Sequence, residues 1–217
     1  MPLHELISPF YVKLGTDYRS KLVVGQICFT SVLYCYENRE VWRPISLDTS
    51  GTFASAFKID AYKSARILHS PKLEAYEEFP VVRAKQRPVI VLVPQQSQVD
   101  LKESAGMMKV NKKLVTVAPC YSVVNAQDEC KTDPAFLIRV SNLEFPHFMF
   151  LPQGPCITKD SLLRLDSVHH TFHPHLEPKQ FALAPENVDI LLGQLERVLS
   201  IGNGDAYVVA RDILLGK

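Results

Sequence analysis

From Val23 to Tyr36 the chain reads "VVGQICFTSVLYCY", a run of β-branched, aromatic and apolar residues in which only Gln26, Thr30 and Ser31 interrupt as polar side chains. That density predicts a strand at least partly buried on both faces. Five consecutive apolar strand formers, Val89 to Val93, follow Arg87 and Pro88 and predict a second strand. The segments "LVTVAPCYSVV", "AFLIRV" and "HFMFLP" predict three more. Short strands at such close spacing predict a small β-barrel. Near the end the period changes: after Pro185, the residues Val188, Leu191, Leu192, Leu195, Val198 and Leu199 recur at helical steps until "GNG" stops them. The tail "DAYVVARDILLGK" reads as a further helix capped by Asp205 or as a segment that docks on a partner. The expected fold is therefore mainly β with helices.

Between the first two strands the pattern loosens. A polar, turn-rich stretch, "ENREVWRPISLDTSGTF", leads into "ASAFKIDAYKSARILHS", where Phe57, Ile59, Tyr62, Ala65 and Ile67 approximate a helical stripe. Pro71 and Pro80 then frame the acidic piece "KLEAYEEF". Residues 37–84 thus read as an insertion rather than a second domain. With 217 residues, 47% of them hydrophobic, the chain can bury one sizeable core, so a single domain 1–217 is expected, with an N-terminal extension 1–22 and a C-terminal tail 202–217.

Charge narrows the partners. A formal net charge of +1, from 24 basic and 23 acidic residues, excludes the broad basic surface that coats duplex nucleic acid and leaves room for a local basic groove. Cys28, Cys35, Cys120, Cys130 and Cys156 are odd in number, lack C-x-x-C spacing and mostly sit among apolar neighbours, the usage of reduced core thiols in a cytoplasmic protein. The start "MPLHELISPF" has no basic or apolar leader pattern, and no apolar run approaches the roughly 20 residues of a membrane span.

The order "GQICF", "RPVIVLVP", "LVTVAPCYS", "KDSLLRLD", "LAPENVDILLGQLERVL" resembles the MazF/PemK family of toxins, over Val23 to Tyr36 and roughly Lys85 to Ile201. The resemblance implies a small SH3-like barrel of the CcdB/MazF type with a C-terminal helix, here carrying a long insertion after the first strand. It further implies a homodimer that cuts single-stranded RNA through attack of the ribose 2′-OH, needs no metal or other cofactor, and is neutralised by an antitoxin protein. A barrel of this shape that lacks catalysis is the alternative, binding nucleic acid or, like the CcdB-like toxins, a protein.

Four residues then become candidates for catalysis: Arg87, Ser122, Tyr121 and Asp160. Proline fixes φ and lacks an N–H, so Pro88 suits a strand's first residue and puts Arg87 on the rim. There a guanidinium, charged at any working pH, donates two parallel hydrogen bonds to phosphate oxygens. It can also stabilise the extra negative charge of a pentacoordinate phosphorus. In "APCYS", Tyr121 stands where the family usually has threonine, while Ser122 matches; a hydroxyl there can bond the phosphate or move a proton from the 2′-OH that distinguishes RNA from DNA. Tyr121 can equally stack on a base or be a plain surface aromatic. In "TKDSLLRLD", Asp160 matches an acid that orients the arginine or serves as base, and Arg164 with Asp166 reads as an ion pair locking a turn. Thr158 occupies a place that is a catalytic arginine in some members. Lys85, Arg87, Tyr121 and Thr158 are the expected RNA contacts.

Two other features compete. His169, His170, His173 and His175 include an i, i+4 pair suited to zinc only if helical, and Pro174 opposes helix, so no metal site is assigned. Arg43 and Pro44 form a second arginine–proline pair, but the strand after Arg87 is longer. The insertion can cover the groove, imitate an antitoxin or bring in a histidine such as His69.

Overall fold

The computed structural model describes residues 2–33, 84–94, 114–125 and 127–217, together with the backbone of 40–47, 54–61 and 80–81. The chain divides into two compact units, one formed by Met1–Thr30 with Gln86–Lys217 and the other by Ser31–Lys85.

The larger unit is built on eight strands: β1 (Tyr11–Lys13), β2 (Gln26–Leu33), β6 (Ala84–Val93), β7 (Leu114–Ser122), β8 (Phe148–Leu151), β9 (Ser161–Arg164), β10 (His169–Phe172) and β11 (Glu177–Leu183). They follow the order β1-β11-β2-β6-β7-β9-β8, with β10 also on β7. Four of the five expected strands, those at 23–36, 89–93 and 114–124 and "HFMFLP", have their counterparts in β2, β6, β7 and β8. "AFLIRV" is instead helix α2 (Pro134–Ser141), which follows the short N-terminal helix α1 (Leu3–Leu6). The "TDP" sequence decides it: the Asp133 carboxylate accepts the Ala135 N–H as N-cap, and Pro134 opens the first turn, where a missing N–H costs nothing. Its apolar residues then fall at helical spacing, with Val140 buried beside Val123 and Leu162, and Phe136 and Leu137 packed on that cluster.

Prolines sit where the ladders have gaps. On one edge of β7, residues 114–117 pair with β10 and residues 120–122 with β9, so Pro119 falls between its two partners on that side. Pro88 lies inside β6, which starts at Ala84 and not at the proline as expected; the ladder to β7 begins only at Val89. A residue without an N–H is tolerated just ahead of it. Strands β10 and β11 escape the apolar pattern because "HHTF" and "EPKQFAL" carry little of it, yet β11 lies between β1 and β2, with its irregularity between Pro178 and Ala182. The N-terminal stretch 1–22, expected as an extension, contributes β1 to this sheet and Leu3 and Phe10 to the core.

The core gathers one face of every major strand: Ile27, Ile90, Leu92, Ala118, Cys120, Met149, Leu151, Leu163 and Leu183. Main-chain pairing leaves the sheet open between β1 and β8, but its ends meet through a side chain: the Tyr11 hydroxyl donates to Pro152 O at 2.7 Å, one residue past β8. Burial, with the Cys120 thiol and Asp160 carboxylate nearby, drives the Tyr11 phenol far above its ordinary pKa, so it stays a neutral donor. Helix α3 (Pro185–Leu199) forms as expected, but its buried side includes two polar residues, Asn187 and Gln194, alongside Ile190 and Leu191, while Leu199 is exposed. Gln194 donates to Phe145 O and Phe148 O, and Asn187 to Phe10 O, so the helix is keyed to the sheet by hydrogen bonds as well as by apolar area. The tail forms α4 (Asp205–Leu215), whose N-cap is Gly204 at φ 66° rather than Asp205, and the Tyr207 hydroxyl donates to Leu143 O at 2.8 Å.

Within the smaller unit, β3 (Glu40–Leu47) pairs with β4 (Ala54–Ala61) and with β5 (Pro80–Val81) in a three-stranded sheet ordered β4-β3-β5. The helix expected from residue 54 is a strand as far as Ala61. Phe57 and Ile59 are two residues apart, the strand period, and the register Trp42↔Ile59 and Pro44↔Phe57 puts both on the β3 ladder. The rest of that stripe, with His69, lies outside the described residues, as do the side chains of Arg43 and Pro44.

Buried thiols behave as predicted for Cys28 and Cys120: burial pushes the Cys28 pKa up to about 12 and that of Cys120 higher still, against thiolate formation. Cys130 departs from the expectation and is exposed. Among the described residues no helix is long and apolar enough to cross a membrane.

One polar node ties the sheet together. Gln26 is fully buried; its Oε1 accepts the Val23 N–H at 3.1 Å, and its Nε2 donates to Tyr18 O at 2.9 Å and Lys179 O at 3.0 Å. Beside it Gly25, at φ 81°, donates to Val91 O and accepts from Leu183 N, and a Cβ there would come within 2.5 Å of Val188 Cγ2. Replacing the buried Gln26 by Leu leaves three partly buried main-chain groups without their partner, and we expect a loss of about 2–4 kcal/mol in urea unfolding, against less than ~1 kcal/mol for Gln180→Leu, whose side chain makes a single partly buried bond.

Candidate functional site

Continuing the β6–β7 register back from Val89↔Pro119 brings Arg87 opposite Tyr121. On the other edge of β7, Tyr121 pairs with Leu162 of β9, and Arg164, two residues on, shares that sheet face. The three side chains meet. The Arg87 Cζ lies 4.3 Å from the Tyr121 ring centroid and the Arg164 Cζ 5.4 Å from it, both within cation–π range. Arg87 is half-buried, with its Nε out of reach of solvent.

Arg164 is held from the other side by Asp166, in the single 3-10 turn 165–167 after β9: Nε donates to Oδ1 at 2.9 Å and Nη2 to Oδ2 at 2.5 Å. The expected turn-locking ion pair is present. The hydrogen bond from Arg164 lowers the Asp166 pKa below the usual carboxylate range, outweighing partial burial. Sequence reasoning left Arg164 outside the site. Its signal was the spacing from Leu162, which is informative only once Leu162 is known to face Tyr121.

The other expected site residues stand elsewhere. Ser122 neighbours Tyr121 on a strand and so projects to the opposite face; its hydroxyl donates to Val124 O at 2.9 Å and accepts the Val124 N–H at 3.2 Å, closing the turn after β7. Asp160 accepts the Gln153 N–H at 2.7 Å within the β8–β9 connection, near Tyr11, and its contacts do not bring it to Arg87. Thr158 is exposed in the same connection, and Lys85 is exposed near the start of β6. The histidines are distributed: His169 and His170 on β10 and His173 and His175 in a 3-10 turn, with His170 Nδ1 3.0 Å from Thr116 Oγ1. Among the described residues no cluster of three or more His, Cys, Asp or Glu side chains has the arrangement of a metal site.

The larger unit is a mainly β domain in which two guanidiniums from flanking strands meet one tyrosine ring. Compared with family models, curated proteins and solved structures, the chain matches none.

The ion pair gives a pH dependence of defined sign. A carboxylate whose folded pKa lies below its unfolded value stabilises the fold above the unfolded value, near 4, and loses that contribution as pH falls through the folded one. Comparing unfolding free energies from urea titrations at pH 6 and pH 3, Asp166→Asn should narrow the gap between the two by up to ~1 kcal/mol, the scale of a solvent-accessible pair.

Proposed function

We propose that this chain is a MazF/PemK-like endoribonuclease that binds single-stranded RNA at the Arg87–Tyr121 cluster and cleaves it without a metal: the ribose 2′-oxygen gives up its proton to water and attacks the adjacent phosphorus, and the P–O5′ bond breaks to leave a 2′,3′-cyclic phosphate and a 5′-hydroxyl that takes a proton back. The observation that carries the reading is the Arg87 guanidinium held against Tyr121 at the end of the β6–β7 ladder. A cation fixed in place needs no reorganisation as charge grows on the phosphate oxygens. A sheet whose ends meet at Tyr11 and Pro152 around one core also supports reading the larger unit as an SH3-like barrel. The same reading makes an antitoxin protein and a second copy of the chain its partners, and the cytoplasm its compartment.

A second reading is favoured by the two hydrogen-bonded side chains: with Ser122 closing a turn and Asp160 engaged by Gln153, the barrel binds RNA or a protein and has no catalysis. Incubation with single-stranded RNA in chelator separates the two. The first reading expects cleavage of RNA, none of an all-deoxy strand of the same sequence, and a rate at least about a hundredfold lower for Arg87→Ala. Intact RNA at enzyme excess, with salt-sensitive retention, makes the chain a nucleic-acid-binding module; intact RNA with no retention removes RNA altogether.

A further inference from the structure

We infer that Arg164 is a second phosphate-binding guanidinium of this site and that Tyr121 is a positioning residue, which acts through its ring by holding Arg87 and Arg164 on one sheet face. The inference rests on the RNA reading above and names the groups that carry it. Two observations point the same way.

First, three strands converge on one ring. Arg87 from β6 and Arg164 from β9 flank Tyr121 of the strand between them, at 4.3 and 5.4 Å from its centroid. Two like charges do not gather on one ring by mutual attraction; the electron-rich ring attracts each of them, and it does so without the phenol oxygen. The face against which Arg87 lies is then a guanidinium platform, not a stacking surface for a base.

Second, Arg164 is oriented, not merely near. Asp166 grips Nε and Nη2 through its two oxygens, and such a two-point contact fixes the guanidinium plane and the direction of its other N–H donors. A lysine in its place would keep the charge and lose that geometry.

The test follows the arginine Nε–H resonances by NMR while a single-stranded RNA oligonucleotide is added, with melting temperature recorded for each variant. In the wild-type chain the oligonucleotide should shift the Arg87 and Arg164 signals together. Tyr121→Leu should weaken binding about tenfold and leave the two signals uncoupled, and Tyr121→Phe should restore both. Arg164→Gln should flatten the plot of log affinity against log salt by about 0.7, the loss of one phosphate contact on a single strand, and Arg164→Lys should recover the slope but not the affinity. RNA that binds without moving Arg164, or binding that fails equally in Tyr121→Phe and Tyr121→Leu, overturns the inference and leaves the RNA reading intact. A wild-type chain that binds no RNA overturns both, and is told apart by the titration itself.

Discussion

Strand β7 is the constraint on which the rest of the larger unit depends. It pairs with β6 along one edge and with both β10 and β9 along the other, so a single nine-residue segment sets the register of three neighbours. A one-residue slip along it would exchange its two faces, moving Ala118 and Cys120 out of the core and Tyr121 out of the arginine cluster. Val115 and Val117 on one face and Ala118 and Cys120 on the other all lie at essentially zero exposure, so the strand is buried on both sides along its middle.

Hydrogen bonds from buried side chains complete what strand pairing leaves unfinished. Tyr11 spans the open ends of the sheet, Gln26 fastens the segment before β2 to β11, Gln194 keys α3 to the start of β8, and Tyr207 keys α4 to the residues after α2. Each donates to a main-chain carbonyl that would otherwise be desolvated with no return. Such contacts are specific in a way that apolar burial is not, because only one docking angle brings donor to acceptor.

At the candidate site, strand alternation separates residues that adjacency in sequence had joined. Tyr121 and Ser122 were expected to act on one phosphate, yet consecutive strand residues point to opposite faces, and the serine closes a turn. Arg164, distant from both in sequence, reaches Tyr121 because antiparallel pairing sets Leu162 beside it. The fold therefore keeps the arginine–aromatic part of the expected constellation and disperses its hydroxyl and carboxylate.

What the sequence determined by itself is whatever depends on neighbours along the chain: the apolar density of β2, β6 and β7, the 3.6-residue period and proline start of α3, and an arginine ahead of Pro88. The same local logic operates at Asp133-Pro134, where a cap signal outranks a short apolar run, and at Phe57 and Ile59, whose spacing is the period of a strand. Tertiary structure alone decided the polar strand β11, whose place between β1 and β2 comes from main-chain bonding that its side chains do not advertise. It alone joined Arg87, Tyr121 and Arg164, because a cross-strand contact depends on register, and register is settled by burial across the whole sheet rather than by any one segment.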